Sequence, residues 1–162
     1  MNIYIMRHGQ AEMMANSDAE RPLTSLGQAE SEKMATHLAN RGVTLDAVLV
    51  SPYLRAQQTW ESVRPFFPEV ANVQTIKSLT PGGSARKSVN EISALQAEGV
   101  NNLLVVSHLP LVGYIIGELV PSAGVPAFAT SSVGHVEIDD NGFAVLHGLT
   151  SVMQINHQIN LS

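Results

Sequence analysis

Apolar residues in this chain gather into short continuous runs, and between them lie segments whose apolar positions recur three and four apart. Asn2–Met6 predicts a strand, and a polar loop follows from Arg7 to Leu23. Leu26, Ala29, Lys33, Met34, Leu38 and Ala39 carry a helical spacing to about Arg41. Thr24 and Ser25 offer caps for that helix, and Gly42 stops it. Asp46–Val50 predicts a second buried strand. Ser51-Pro52 then starts a helix that ends near Arg64-Pro65, with serine as the cap and proline in the first turn. Val73–Lys77 is a fainter strand signal, and Ser78–Ala85 is a Gly/Pro turn region. Arg86–Glu98 predicts a helix ending at Gly99. Leu103–Val106 predicts a strand, Leu109–Val120 a helix and Pro121–Ser132 a loop. Near the end, His135–Ile138 and Phe143–Leu146 flank Asp139-Asp140-Asn141-Gly142, a hairpin signal.

Continuous apolar strands followed by helices imply an α/β protein, a three-layer α/β/α sandwich. Its sheet should be mostly parallel with an antiparallel edge. The 162 residues suit a single domain spanning the whole chain. Leu103–Val120 is apolar enough to raise the question of a membrane span, but Ser107, His108, Pro110 and Glu118 interrupt it. Arg7 breaks the apolar start too early for a signal peptide. A soluble, cytoplasmic protein is expected.

Composition narrows the chemistry. There is no cysteine, which excludes disulfides, thiolate nucleophiles and Cys-based zinc sites. Nine basic residues against fourteen acidic ones give a net charge of −5, so no nucleic-acid partner is expected. Any anion must then meet a local cluster of cations. Three strands supply one, because each ends in polar residues. The first runs into Arg7-His8-Gly9, the second into Ser51-Pro52 with Arg55 in the following turn, and the third into Ser107-His108. Ligands of open α/β sheets bind beyond the carboxyl ends of strands, so two arginines and two histidines can converge there.

Such a cluster favours phosphoryl transfer. Arginine's planar fork holds two phosphate oxygens at once, and helix N-termini near Pro52 and Pro110 add backbone donors. A neutral imidazole can attack phosphorus to give a covalent phosphohistidine that water then hydrolyses. Neighbouring arginines disfavour protonation of that imidazole, and the second histidine, if protonated, would stabilise the transferring group.

Met6-Arg7-His8-Gly9, the run Ser51-Pro52-Tyr53-Leu54-Arg55-Ala56-Gln57-Gln58-Thr59 and Val106-Ser107-His108-Leu109-Pro110 resemble the signature segments of the histidine phosphatase superfamily, which includes the phosphoglycerate mutases. Arg21-Pro22-Leu23-Thr24 with Gly27, Leu79-Thr80-Pro81 and the short chain narrow the likeness to SixA-type phosphohistidine phosphatases. The resemblance covers essentially the full length. It implies a phosphoglycerate mutase-like fold with His8 as phosphoacceptor and Arg7, Arg55 and His108 around the phosphate. It implies Arg21 as a further substrate contact, and neither metal nor cofactor.

The chain departs from larger family members where those carry a glutamate, a general acid for ester leaving groups, in an inserted lid. Here Ser78–Ser84 is short and has no carboxylate, and Glu91 follows in a helical pattern that does not aim it at the site. An alkoxide leaves poorly without a proton donor, whereas imidazole needs less help. The expected substrate is therefore a phosphohistidine protein such as a histidine phosphotransfer domain, met by a monomeric enzyme without membrane involvement. Two alternatives stay open: a phosphatase of small phosphate esters, and a binding module that does not turn phosphohistidine over.

Other residues carry plainer expectations. Thr24 and Ser51 read as caps, Gly9 as turn chemistry, and Glu30 and Glu32 as a solvated helix face. Met6, Met13 and Met14 read as packing. His37, His135, His147 and His157 read as structural or surface residues without metal-binding spacing.

Overall fold

Strand β4 (Asn102–Ser107) lies between β1 (Asn2–Arg7) and β2 (Ala47–Val50), pairing in parallel with both. This placement organises the computed structural model, which describes residues 1–161. Strand β3 (Asn72–Thr75) extends the sheet beyond β2 in parallel. On the other side, β5 (Val133–Ile138) and β6 (Ala144–Thr150) add antiparallel strands, giving the order β3-β2-β4-β1-β5-β6. The mixed sheet is the one the sequence implies.

Alternation along the central strands builds a core on each face. Ile3, Ile5, Leu49, Leu103 and Val105 pack with Ile92 and Leu95 of α3 (Ala85–Ala97) and Ile115 and Ile116 of α4 (Leu111–Leu119). Tyr4, Met6, Val48, Val50, Leu104 and Val106 face the opposite way. They meet α1 (Ser25–Asn40) through Met34 and Leu38, α2 (Leu54–Val63) through Trp60 and Val63, and α5 (Val152–Leu161) through Ile155. Burying both faces explains why these strands read as unbroken apolar runs. Each such Leu, Ile or Val side chain contributes roughly 1.5–3 kcal/mol on burial.

Most punctuation falls where expected. Thr24 caps α1 by accepting the Gly27 N–H at 3.0 Å, and Gly42 follows the helix at φ +80°. The hairpin turn places Gly142 at φ +82°, and Asp139 Oδ1 accepts the N–H groups of Asn141 and Phe143.

Several expectations need correction. Helix α2 begins at Leu54 with Tyr53 in the N-cap position, so Ser51 is not its cap. Helix α4 begins at Leu111 rather than Leu109. Both hairpin strands are longer than the alternating pattern suggested, and α5 covers a tail with no expected element. Met6 is core, but Met13 and Met14 are each 86% exposed and pack against nothing that would bury them. Gly9 serves close approach rather than a left-handed turn: a Cβ there would lie 2.6 Å from the Gly27 carbonyl oxygen. Gly27 answers it, since a Cβ there would lie 2.1 Å from the Gln10 carbonyl oxygen. These two glycines let the start of α1 press directly against the chain that leaves β1.

Candidate active site

The register of the three central strands brings their carboxyl ends level. Arg7 is paired with Ser107, and Val50 with Val106. The chains that continue from β1, β4 and β2 therefore deliver His8, His108 and Arg55 to one place. The His8 and His108 rings sit 5.1 Å apart. His8 is only 8% exposed, at the bottom of the site.

The backbone around His8 is tied on several sides. Its N–H donates to Ser107 O at 2.9 Å, and its carbonyl accepts from the Ser131 N–H at 3.2 Å. Gly9 N–H donates to Thr59 Oγ1 at 3.0 Å, which fastens the loop to α2. Ser131 holds a left-handed φ of 60° while fully buried, with its hydroxyl 3.1 Å from that of Ser31. A strained, over-determined turn here braces the residue after the strand.

The ring itself has a defined tautomer. Nδ1 lies 2.7 Å from the Gly9 carbonyl, which can only accept, so Nδ1 carries the proton and Nε2 presents a lone pair. Arg55 Nε donates toward that Nε2 at 3.3 Å. The His8 pKa is lowered to about 4. Burial is the leading cause, with Arg55, Arg7 and Arg21 adding to it against the Gly9 hydrogen bond. The arginines expected to keep this imidazole neutral do contribute, but desolvation does more.

His108 is also neutral near pH 7, its pKa lowered to about 3 by burial first and then by His8 and the arginines. The condition under which a protonated second histidine would stabilise the transferring group is thus not met in the free protein. A neutral ring can still donate. His108 Nε2 lies 2.7 Å from Ser51 Oγ, and when that hydroxyl donates to Nε2 the ring proton sits on Nδ1. Nδ1 is buried and, among the described residues, without a hydrogen-bond partner, as is Arg7 Nε. Two orphaned buried nitrogens beside a histidine lone pair suit an anion with several oxygens. Arg7 Nη1 is anchored on the Phe128 carbonyl at 2.8 Å, which brings the segment before β5 into the site.

Arg21 is placed differently from the other cations. Its Nε donates to Glu12 O at 2.7 Å and its Nη1 to Asp18 Oδ1 at 2.9 Å, at the edge of the site. It acts on His8 through its charge rather than by contact. Asp18, Ser51, Tyr53 and Thr59 are the residues that sequence reasoning missed. Asp18 joins both arginines, since Arg55 donates to its carbonyl at 2.6 Å and to its carboxylate at 3.2 Å. Tyr53 lies under the Arg55 guanidinium, 5.1 Å from its centroid, and meets His108 edge-on.

A model of the histidine phosphatase superfamily (branch 1) matches residues 3–80. Phosphohistidine phosphatase SixA of Escherichia coli is 44% identical over 142 residues, covering 88% of each protein. The chain belongs to the histidine phosphatase superfamily. A SixA homolog from Haemophilus influenzae is 40% identical over 153 residues, covering 90% of this chain and 93% of that one. A solved structure of the protein histidine phosphatase SixA with tungstate superposes with a TM-score of 0.92 at 41% identity, over 96% of this chain and 99% of that one. A Bacillus anthracis phosphoglycerate mutase shares the superfamily fold, with a TM-score of 0.77 at 16% identity.

The remaining histidines lie elsewhere. His37, His135, His147 and His157 line a cleft of about 920 Å³ between α1, α5 and the β5–β6 hairpin, with His135 stacked on Tyr4 at 4.6 Å. Among the described residues no group of His, Asp and Glu is arranged to hold a metal, and no helix is long and apolar enough to cross a membrane. Glu91 is exposed on α3, away from the residues that meet His8.

The buried histidines make stability depend on acid. Both folded-state values lie below the ordinary value of about 6.5, so below that pH the unfolded chain binds protons the folded one refuses. Stability should fall as pH drops from about 6.5 toward 4, with no contribution from these rings above that window. Denaturant midpoints measured across that range check this. His108→Gln should flatten the decline, and an equally steep decline in the variant would contradict it.

Proposed function

We propose that this protein is a phosphohistidine phosphatase, a hydrolase that removes the phosphoryl group from a phosphohistidine side chain of a signalling or phosphotransfer protein. The observation that carries this reading is the unprotonated Nε2 of buried His8, met only by an Arg55 N–H and set beside two buried nitrogens without hydrogen-bond partners among the described residues. His8 Nε2 attacks phosphorus. The bond to the substrate nitrogen breaks, and its electron pair goes to the departing imidazole. Arg55 turns its donors from His8 and Asp18 to the phosphoryl oxygens, while Arg7 and the neutral His108 donate to the others. Water then attacks phospho-His8, the pair returns to Nε2 and inorganic phosphate leaves.

Arg21 serves at the rim, steering the anion rather than gripping it. The scheme uses no cofactor. It is consistent with the SixA relatives, one of which was solved with tungstate, a tetrahedral oxyanion like phosphate. The loop between β3 and α3 supports a protein substrate, because it is short, residues 76–84, and carries no carboxylate to protonate an alkoxide. The enzyme would act as a monomer in the cytoplasm on a carrier such as a histidine phosphotransfer domain.

The test compares phosphate release from a phosphohistidine protein, a sugar phosphate and a phosphoserine peptide. The phosphohistidine protein should have the highest kcat/KM. Faster turnover of either ester would transfer the assignment to small-ester or phosphoserine chemistry. Tight binding of phosphohistidine protein with no phosphate release would instead mark a binding module.

A further inference from the structure

The carboxylate that meets the arginines of this site, Asp18, is in the wrong state to be an acid. Asp18 opens a single 3-10 turn, Asp18–Glu20, in the loop between β1 and α1. Its side chain is 54% exposed, at the mouth, whereas His8 lies at the bottom. The Arg55 guanidinium spans the two, with Nε on His8 Nε2 and Nη2 on Asp18 Oδ2. Asp18 also acts on His108, whose protonated form it favours. The carboxylate therefore stands on the exposed side of Arg55, with the buried nucleophile on the other. Hydrogen bonds from Arg21 and Arg55 hold its pKa below the usual carboxylate value, so it has no proton to give near neutral pH. Glu12 and Glu20 are exposed on the same loop, and the charges that act on Asp18 are those of Arg21 and Arg55.

A negative charge at that place distinguishes between leaving groups. A phosphohistidine ring breaks its N–P bond most readily when its second nitrogen is protonated, because it then departs as neutral imidazole. An anion beside the ring favours the protonated form. An alkoxide gains nothing from the same anion: it receives no proton and meets a like charge as it forms.

Resting on the phosphohistidine phosphatase reading above, we infer that Asp18 is a specificity-determining residue, whose carboxylate stabilises the imidazolium form of the substrate ring at the mouth and disfavours ester leaving groups. In balance, the N–P bond of the substrate breaks as the P–Nε2 bond to His8 forms. The electron pair neutralises the ring, and the proton stays on the ring's other nitrogen throughout. Asp18 supplies charge only.

The test replaces Asp18 with asparagine, which can still accept from Arg55 and Arg21 through its amide oxygen, and follows two substrates across pH 6–9. One is a phosphohistidine protein. The other is 4-nitrophenyl phosphate, whose leaving group needs no proton and departs as an anion. Asp18→Asn should lower kcat for the phosphohistidine protein about tenfold at pH 8, as one unit of lost pKa elevation requires. The loss should shrink toward pH 6, with the alkaline limb of the profile displaced to lower pH. Turnover of 4-nitrophenyl phosphate should rise rather than fall, because its departing anion no longer meets a like charge, and Asp18→Glu should restore the wild-type preference. Equal losses on both substrates would overturn the inference, leaving Asp18 as a prop for Arg55. Equal gains would overturn it too, as the mark of a carboxylate that competes with phosphate for the arginine fork. A wild type that releases no phosphate from phosphohistidine protein would instead remove the underlying reading.

Discussion

His8→Ala is expected to abolish phosphate release, lowering kcat by at least about 10³-fold, because no other group offers a lone pair at that position. The chain has no cysteine to substitute as nucleophile. The nearest imidazole, His108, has its Nε2 on Ser51 and its ring centre 5.1 Å from that of His8. What remains in the variant is a cationic pocket that binds phosphate and performs no chemistry. The measurement is brief mixing of phosphohistidine protein with enzyme, followed by denaturation in alkali, where an N-linked phosphoryl group survives, and in acid, where it is lost. Wild type should yield an alkali-stable, acid-labile phosphoenzyme, and His8→Ala none. Full activity in the variant would defeat covalent transfer through His8. The fold should tolerate the change, since the Gly9, Ser107 and Ser131 contacts at this position use backbone atoms as one partner or both.

Much of this site was legible because the sequence places it at strand ends. Runs such as Ala47–Val50 and Leu103–Val106 are apolar on both faces, so they announce buried parallel strands, and the first polar residues after them mark the edge where ligands bind. His8, Arg55 and His108 follow from that logic. Ser51 was misread because Ser-Pro before a helix is a good local cap signal. Its actual partner, His108, lies 57 residues away and could not be inferred locally. Asp18 failed for a similar reason: it sits in a polar loop, and only tertiary contact gives it Arg55. Helix α5 did leave a signal. Ser151 and Gln154 form a reciprocal capping box, with Gln154 N–H on Ser151 Oγ at 3.2 Å and Ser151 N–H on Gln154 Oε1 at 2.9 Å. Val152 and Ile155 then turn one apolar face to the core.

Arg55→Lys should lose most of the activity despite keeping the charge. Arg55 makes its contacts from one plane: Nε to His8 at 3.3 Å, Nη1 to the Asp18 carbonyl at 2.6 Å and Nη2 to its carboxylate at 3.2 Å. The guanidinium also stacks over Tyr53, and its side chain is only 5% exposed. A lysine ammonium is a point donor that cannot hold two phosphoryl oxygens and the mouth of the site together. Loss of such a preorganised donor costs roughly 2.7–4 kcal/mol in the transition state, so kcat/KM should fall about 10²–10³-fold in Arg55→Lys. Arg55→Ala should fall at least as far, and the two variants separate charge from geometry. Arg55 is one of the causes that lower the His8 pKa. In the alanine variant that value should rise, moving the acid limb of the kcat/KM profile to higher pH, whereas lysine should leave the limb in place. A lysine variant with full activity would show that positive charge alone suffices. If both variants lose activity but only alanine moves the limb, the fork holds the phosphoryl group and the charge keeps His8 neutral, two functions carried by one side chain.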